Sequence, residues 1–132
     1  MTSPRLGGLR ILVVDDGADN QLLFSLYLTQ QGAEVTLAGD GADGLQATID
    51  IASDGSFFHV ILLDMQMPVM DGYELARRLR DSGYTRPVVA LTAHSADKER
   101  SRCLEAGCDD FVTKPLPPEA LIEAVLRNCG PL

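Results

Sequence analysis

Five polar residues stand where apolar runs end. Asp15 and Asp16 follow Leu9-Arg10-Ile11-Leu12-Val13-Val14, and Asp64 closes the run Phe57-Phe58-His59-Val60-Ile61-Leu62-Leu63. Thr92 follows Pro87-Val88-Val89-Ala90-Leu91, and Lys114 follows Asp110-Phe111-Val112-Thr113. Any one of them has an ordinary reading as a turn former, a cap or a surface charge. Together they make a set with chemistry. Three clustered carboxylates repel one another and raise each other's pKa values. A hard divalent cation relieves that repulsion, and an oxygen ligand set suits Mg²⁺. No His or Cys stands among the strand-end groups, which argues against zinc. Lys114 offers a point positive charge for a phosphate oxygen, Thr92 a hydroxyl, and the backbone N–H groups after Asp64 and Thr92 further donors. Such a site suits phosphoryl transfer, with a carboxylate able to act as the nucleophile.

The elements that must position these groups are read from the apolar pattern. The run ending at Asp64 is apolar on both alternating faces, as in a strand buried on both sides of a parallel sheet. Strands are expected over 9–14, 34–38, 57–63, 87–91 and 110–113. The second is shorter and more polar, which suits a sheet edge. Helices are expected from Gln21 to about Gln31, Ala42 to Ser53, Gly72 to Asp81, Ala96 to Ala106, and after Pro117-Pro118. The first is expected to be capped by Asp19 or Asn20 and to bury Leu22, Leu23, Leu26 and Tyr27. Asp71 caps the third. Five strands alternating with five helices over short connections make one doubly wound α/β domain. Parallel strands would put every chemical group on one edge of the sheet, where ligands of open α/β sheets bind.

The composition narrows the classes of function. The chain has 132 residues, 45% of them hydrophobic, which is enough for one core and argues against disorder. The net charge of −8 argues against direct binding of nucleic acid or an anionic membrane. No apolar stretch is long enough to span a bilayer, and residues 1–8 lack the apolar core of a signal peptide. Those eight residues are expected to be a disordered lead, 9–129 the domain and 130–132 a tail. The three cysteines, Cys103, Cys108 and Cys129, have no metal-ligand spacing. They are read as reduced thiols of a cytoplasmic protein, serving as small hydrophobes.

From Leu9 to Asn128 the chain resembles the receiver domain of two-component signalling, the phosphoacceptor module of response regulators and hybrid histidine kinases. The resemblance is carried by Ile11-Leu12-Val13-Val14-Asp15-Asp16, by Leu62-Leu63-Asp64-Met65-Gln66-Met67-Pro68-Val69-Met70-Asp71-Gly72, by Ala90-Leu91-Thr92-Ala93, and by Phe111-Val112-Thr113-Lys114-Pro115-Leu116. It implies a flavodoxin-like three-layer fold with strand order 2-1-3-4-5. It also implies that Asp64 is phosphorylated, that Asp16 binds Mg²⁺ with support from Asp15, and that the main-chain carbonyl of Gln66 is a further ligand. Thr92 and Lys114 would hold the phosphoryl group, Thr92 and Phe111 would switch, and the Lys114–Pro115 bond would be cis. Gln66 and His94 would tune the phosphate lifetime. The phosphodonor would be a histidine kinase or histidine phosphotransfer domain. The surface of the fourth helix, fifth strand and fifth helix would carry the signal to an output domain or partner protein. Such a domain is a switch rather than an enzyme acting on an external substrate. Its loops look most like those of hybrid-kinase receivers, and whether it stands alone or belongs to such a kinase stays open. Gly17 replaces a frequent Asn, and Phe111 a frequent Tyr.

Three other readings compete. Gly39-Asp40-Gly41-Ala42-Asp43-Gly44 is a literal G-x-G-x-x-G before a helix. However, it follows an expected edge strand rather than a central one, and the acid pair has the wrong charge for a pyrophosphate. A receiver-like interaction module that takes no phosphate usually lacks the acids, the Thr or the Lys, all of which are present here. An aspartyl phosphatase commonly needs a second carboxylate two residues after the nucleophile, and that position is Gln66.

Overall fold

The computed structural model describes residues 5–67, 70–93, 97–114 and 116–129. Among them, five strands alternate with five helices: β1 (Arg10–Val14), α1 (Ala18–Gln30), β2 (Glu34–Ala38), α2 (Gly41–Ser53), β3 (Val60–Asp64), α3 (Gly72–Asp81), β4 (Val88–Thr92), α4 (Asp97–Ala106), β5 (Asp110–Thr113) and α5 (Pro118–Cys129). The strands form one parallel sheet in the order β2-β1-β3-β4-β5. β2 is therefore an edge strand, as its polar pattern predicts. The order reverses between β1 and β3, so the crevice beyond their carboxyl ends is the natural ligand position.

Side-chain alternation along the strands builds two cores. Leu12, Val14, Ile61, Leu63, Val88 and Ala90 face one side and pack with α2, α3 and α4 residues such as Leu75, Leu79 and Cys103. Ile11, Val13, Val60, Leu62, Val89 and Leu91 face the other and pack against Phe24 and Leu28 of α1 and Leu121, Ile122 and Val125 of α5. β3 and β4 are buried along their whole lengths, as central parallel strands must be.

Helix α1 departs from the sequence expectation. It begins three residues earlier, at Ala18, and its N-cap is Gly17, with no side-chain cap from Asp19 or Asn20. Its buried residues are Phe24 and Leu28, with Tyr27 half-buried, whereas Leu22, Leu23 and Leu26 are 69%, 44% and 47% exposed. The helix carries apolar residues at six of the seven positions from 22 to 28, so its apolar surface is broad. The sheet covers only part of it. A second departure is at the N-terminus. Residues 5–8, expected to be disordered, belong to the fold: Leu6 is fully buried, its N–H bonds Gln31 O at 2.8 Å, and Arg5 pairs with Glu119 at 2.6 Å.

Smaller features follow the local chemistry. Asp40 and Asp71 cap α2 and α3, their carboxylates accepting from the N–H groups of Asp43 and Glu74. Gly44 of the G-x-G-x-x-G run lies against β1, and a Cβ there would sit 2.9 Å from Val14 Cγ2. Its glycine is accounted for by helix–strand packing. Cys103 and Cys108 are buried in the core, and burial pushes their thiols up to about 11 and about 12, so neither is a reactive thiolate.

Candidate functional site

The loops after β1, β3, β4 and β5 bring their strand-end groups together. Asp15, Asp16 and Asp64 each present a carboxylate oxygen within 4.8 Å of the others. Asp15 and Asp64 are buried and Asp16 is exposed, so the cluster opens to solvent on the Asp16 side. Lys114 Nζ reaches in from the end of β5 to 3.4 Å from Asp64 Oδ1 and 3.6 Å from Asp15 Oδ2. The lysine is held in place by its own main chain, whose N–H donates to Thr92 O at 2.7 Å.

Each buried acid is also fixed by the backbone two residues on. Gly17 N–H donates to Asp15 Oδ1 at 2.8 Å, and Gln66 N–H to Asp64 Oδ1 at 3.0 Å. Asn20 Nδ2 stands 3.4 Å from Asp15 Oδ2, and Gln21 Nε2 donates to Asp15 O at 2.6 Å. Burial raises the pKa of Asp64 above the usual carboxylate value. The Gln66 N–H and Lys114 oppose that rise, and Asp15 adds to it. Lys114 pairs with the two buried acids and not with Asp16, so three clustered acids face one ammonium and negative charge is in excess. Three carboxylates around an open side, with only oxygen donors, fit a hard divalent cation such as Mg²⁺ better than a softer metal.

Thr92 is fully buried at the end of β4. Gln66, whose main-chain carbonyl the family resemblance implies as a metal ligand, sends its side chain to β4. Gln66 Nε2 donates to Thr92 Oγ1 at 3.2 Å, and Gln66 Oε1 accepts from Ala93 N–H at 3.2 Å. The sequence carried no signal for this contact, which joins residues 26 apart. Phe111 is half-buried against the α2–α4 core, in register with Ala90 one strand over. The expected roles of His94 and of the Lys114–Pro115 bond concern His94 and Pro115, which lie outside the described residues.

A larger cavity, about 370 Å³, lies at the opposite edge of the sheet between the ends of α2 and α3. It is lined by residues such as Ile49, Phe57, Tyr84 and Arg86 and holds none of the clustered acids. No described helix is long and apolar enough to cross a membrane.

A five-stranded parallel sheet in this order, with acids, a threonine and a lysine at its carboxyl edge, defines a doubly wound α/β domain with an acidic crevice. Comparison with known proteins gives the family: residues 11–126 match the response regulator receiver domain, and the chain belongs to that family. It is 41% identical over 113 residues to the sensor histidine kinase RcsC of Salmonella typhi, covering 86% of this chain and 11% of the kinase. It is 38% identical over 124 residues to the osmosensing histidine protein kinase SLN1 of Saccharomyces cerevisiae, covering 92% of this chain and 10% of that protein. The chain thus spans about a tenth of the length of these relatives. Among solved structures it resembles the receiver domain of sensor histidine kinase PA1611 from Pseudomonas aeruginosa. The TM-score is 0.81 and the identity 32%, covering 95% of this chain and all of that one, and that structure has a magnesium ion coordinated in the active site cleft. This chain is therefore a receiver domain of two-component signalling, with relatives among hybrid histidine kinases.

Proposed function

We propose that the domain accepts a phosphoryl group on Asp64 from a phosphohistidine and that Mg²⁺ is its cofactor. The observation that carries this reading is the Asp15–Asp16–Asp64 cluster with Lys114 Nζ at 3.4 Å from Asp64. In the step, Asp64 Oδ forms a bond to phosphorus as the phosphorus–nitrogen bond of the donor breaks. The electron pair stays on the imidazole nitrogen, which takes a proton. Mg²⁺, held by Asp16, Asp15, Asp64 and the Gln66 main-chain carbonyl, would neutralise charge on the transferring oxygens. Lys114 adds positive charge on the other side, and the Thr92 hydroxyl and the Ala93 N–H are donors for the oxygens once on Asp64. The modification adds about −1.5 to −2 charges at the sheet edge. Closure of Thr92 on the phosphate, with Phe111 turning inward, would reshape the α4–β5–α5 surface for an output domain or partner. A bias of a few kcal/mol between the two states suffices. The reading accords with a cytoplasmic domain.

The test is intact mass after incubation with acetyl phosphate. One phosphoryl group should be gained with Mg²⁺ and none with EDTA. A folded protein that gains no phosphoryl group from acetyl phosphate or from a phosphohistidine donor would instead be an interaction module.

The exposed face of α1 suits the donor. α1 starts two residues after Asp16, so Leu22, Leu23 and Leu26 extend from the rim of the site. Apolar area beside a reactive group fits a protein that must hold its phosphohistidine over Asp64. Leu22→Asp and Leu26→Asp should each slow transfer from a phosphohistidine protein by about tenfold, a usual effect for a central apolar contact. Transfer from acetyl phosphate should be unchanged. Equal slowing with both donors would place the effect in the site and not in docking.

A further inference from the structure

The Gln66 side chain occupies the donors that a phosphoryl group on Asp64 needs. Its Oε1 accepts from Ala93 N–H at 3.2 Å and lies 3.5 Å from Thr92 Oγ1, while its Nε2 donates to the same hydroxyl at 3.2 Å. A phosphoryl oxygen is an acceptor, as Gln66 Oε1 is, and one N–H cannot serve both at full strength. Beside Gln66 lies a cavity of about 320 Å³ lined by Met65, Gln66, Asp71, Tyr73, Glu99 and Arg102. Two of its lining residues carry a buried polar atom with no hydrogen-bond partner among the described residues: the Tyr73 hydroxyl and Glu99 Oε1. Tyr73 is 97% buried, and the Arg102 guanidinium lies 3.8 Å over its ring. Buried polar atoms left in this way are uncommon and costly. A primary amide carries two N–H donors and a carbonyl, which complements a carboxylate oxygen and a phenol.

We propose that Gln66 is a latch with two seats. In the unphosphorylated domain its amide holds Thr92 and Ala93. When Asp64 carries a phosphoryl group, the amide leaves for the α3–α4 cavity and bonds Glu99 and Tyr73. The latch rests on the reading of Asp64 as the phosphoacceptor and specifies how that site is restrained. It gives Gln66 a positioning role over the donors and gives Glu99, on α4, a direct link to the state of Asp64. Helix α4 then senses phosphorylation through an amide that crosses from one set of partners to the other.

The test uses beryllofluoride with Mg²⁺ as the phosphoryl mimic, titrated calorimetrically into wild type, Gln66→Ala, Glu99→Ala and the double variant. Gln66→Ala keeps the main-chain carbonyl and removes the competitor; added to Glu99→Ala, where no second seat offsets the loss of the first, it should tighten binding about three- to tenfold, the effect of one net hydrogen bond. Glu99→Ala removes the second seat and should weaken binding about threefold, with no effect in the Gln66→Ala background. Gln66→Asn, too short to span both donors, should match Gln66→Ala and decides the case if the alanine variant unfolds. Binding that is unchanged or weaker when Gln66→Ala or Gln66→Asn is added to Glu99→Ala overturns the latch. A Glu99→Ala effect that persists without Gln66 overturns the second seat. A wild type that binds no beryllofluoride overturns the phosphoacceptor reading itself, and the latch falls with it.

Discussion

Asp64→Asn should take up no phosphoryl group from any donor and, in metal-free buffer at neutral pH, should be more stable than wild type. The first result follows from loss of the nucleophilic oxygen. The second follows from the environment of the carboxyl: burial raises its pKa, and the Gln66 N–H and Lys114 do not fully compensate. A group whose folded pKa is raised binds its proton more tightly in the folded than in the unfolded chain. Its favourable contribution is complete below the unfolded value and is lost as pH rises through the folded value. The asparagine has no such dependence. The two proteins should therefore be equally stable in acid, below the ordinary aspartate pKa, and diverge as pH rises. The gain at pH 7 should be on the order of 1 kcal/mol, as when a buried charge with incomplete pairing is replaced by a neutral isostere. Urea unfolding in EDTA at several pH values measures this. Added Mg²⁺ should reverse the order by stabilising wild type in proportion to the logarithm of its concentration. A variant less stable than wild type in EDTA at neutral pH would show that Lys114 and the backbone donors outweigh burial and acid–acid repulsion.

Gly72→Ala should destabilise the fold by about 2–3 kcal/mol, the cost of overpacking a site that has no free volume. A Cβ at position 72 would stand 2.6 Å from both Met65 Cα and Met65 Sδ, and 2.8 Å from Asp64 O. Two of these atoms are backbone, so relief requires moving the segment that carries Asp64. Gly72 is the first residue of α3, and its N–H bonds Met65 O at 3.3 Å. The glycine clamps the α3 N-terminus against the end of the strand that carries Asp64. Phosphoryl uptake from acetyl phosphate should fall along with stability, because the shift reaches Asp64 and the Gln66 main chain together. A helix-propensity argument predicts the opposite sign, a modest stabilisation. Denaturant midpoints with an unchanged m-value distinguish the two.

The Asp-Gly pair at 71–72 is a case where the residues were legible and their reason was not. Its role as a helix start was read from capping chemistry, and Asp71 does accept from Glu74 N–H at 2.9 Å. That the glycine is required by Met65 is a contact across a loop, and no periodicity encodes it. Helix α1 shows the same limit in another form. Its apolar residues run almost without a break from Leu22 to Leu28, so spacing alone could not say which stripe meets the sheet, and the wrong stripe was expected in the core. Only the placement of α1 beside α5 over β1 and β2 selected Phe24 and Leu28 and left Leu22, Leu23 and Leu26 outside.

The chain's own order was enough for the architecture and for the cluster of acids. Apolar runs without glycine or proline make central strands, and parallel strands linked by helices must end on one edge, so Asp15, Asp16, Asp64, Thr92 and Lys114 were bound to meet. Tertiary structure decided what each meets there. Lys114 divides itself between Asp15 and Asp64. Gln66 crosses to Thr92 and Ala93 because the β3 and β4 ends are hydrogen-bonded neighbours. The difference has a physical cause: backbone periodicity is local and repeats along the chain, whereas a side-chain amide chooses its partner only after the sheet has closed.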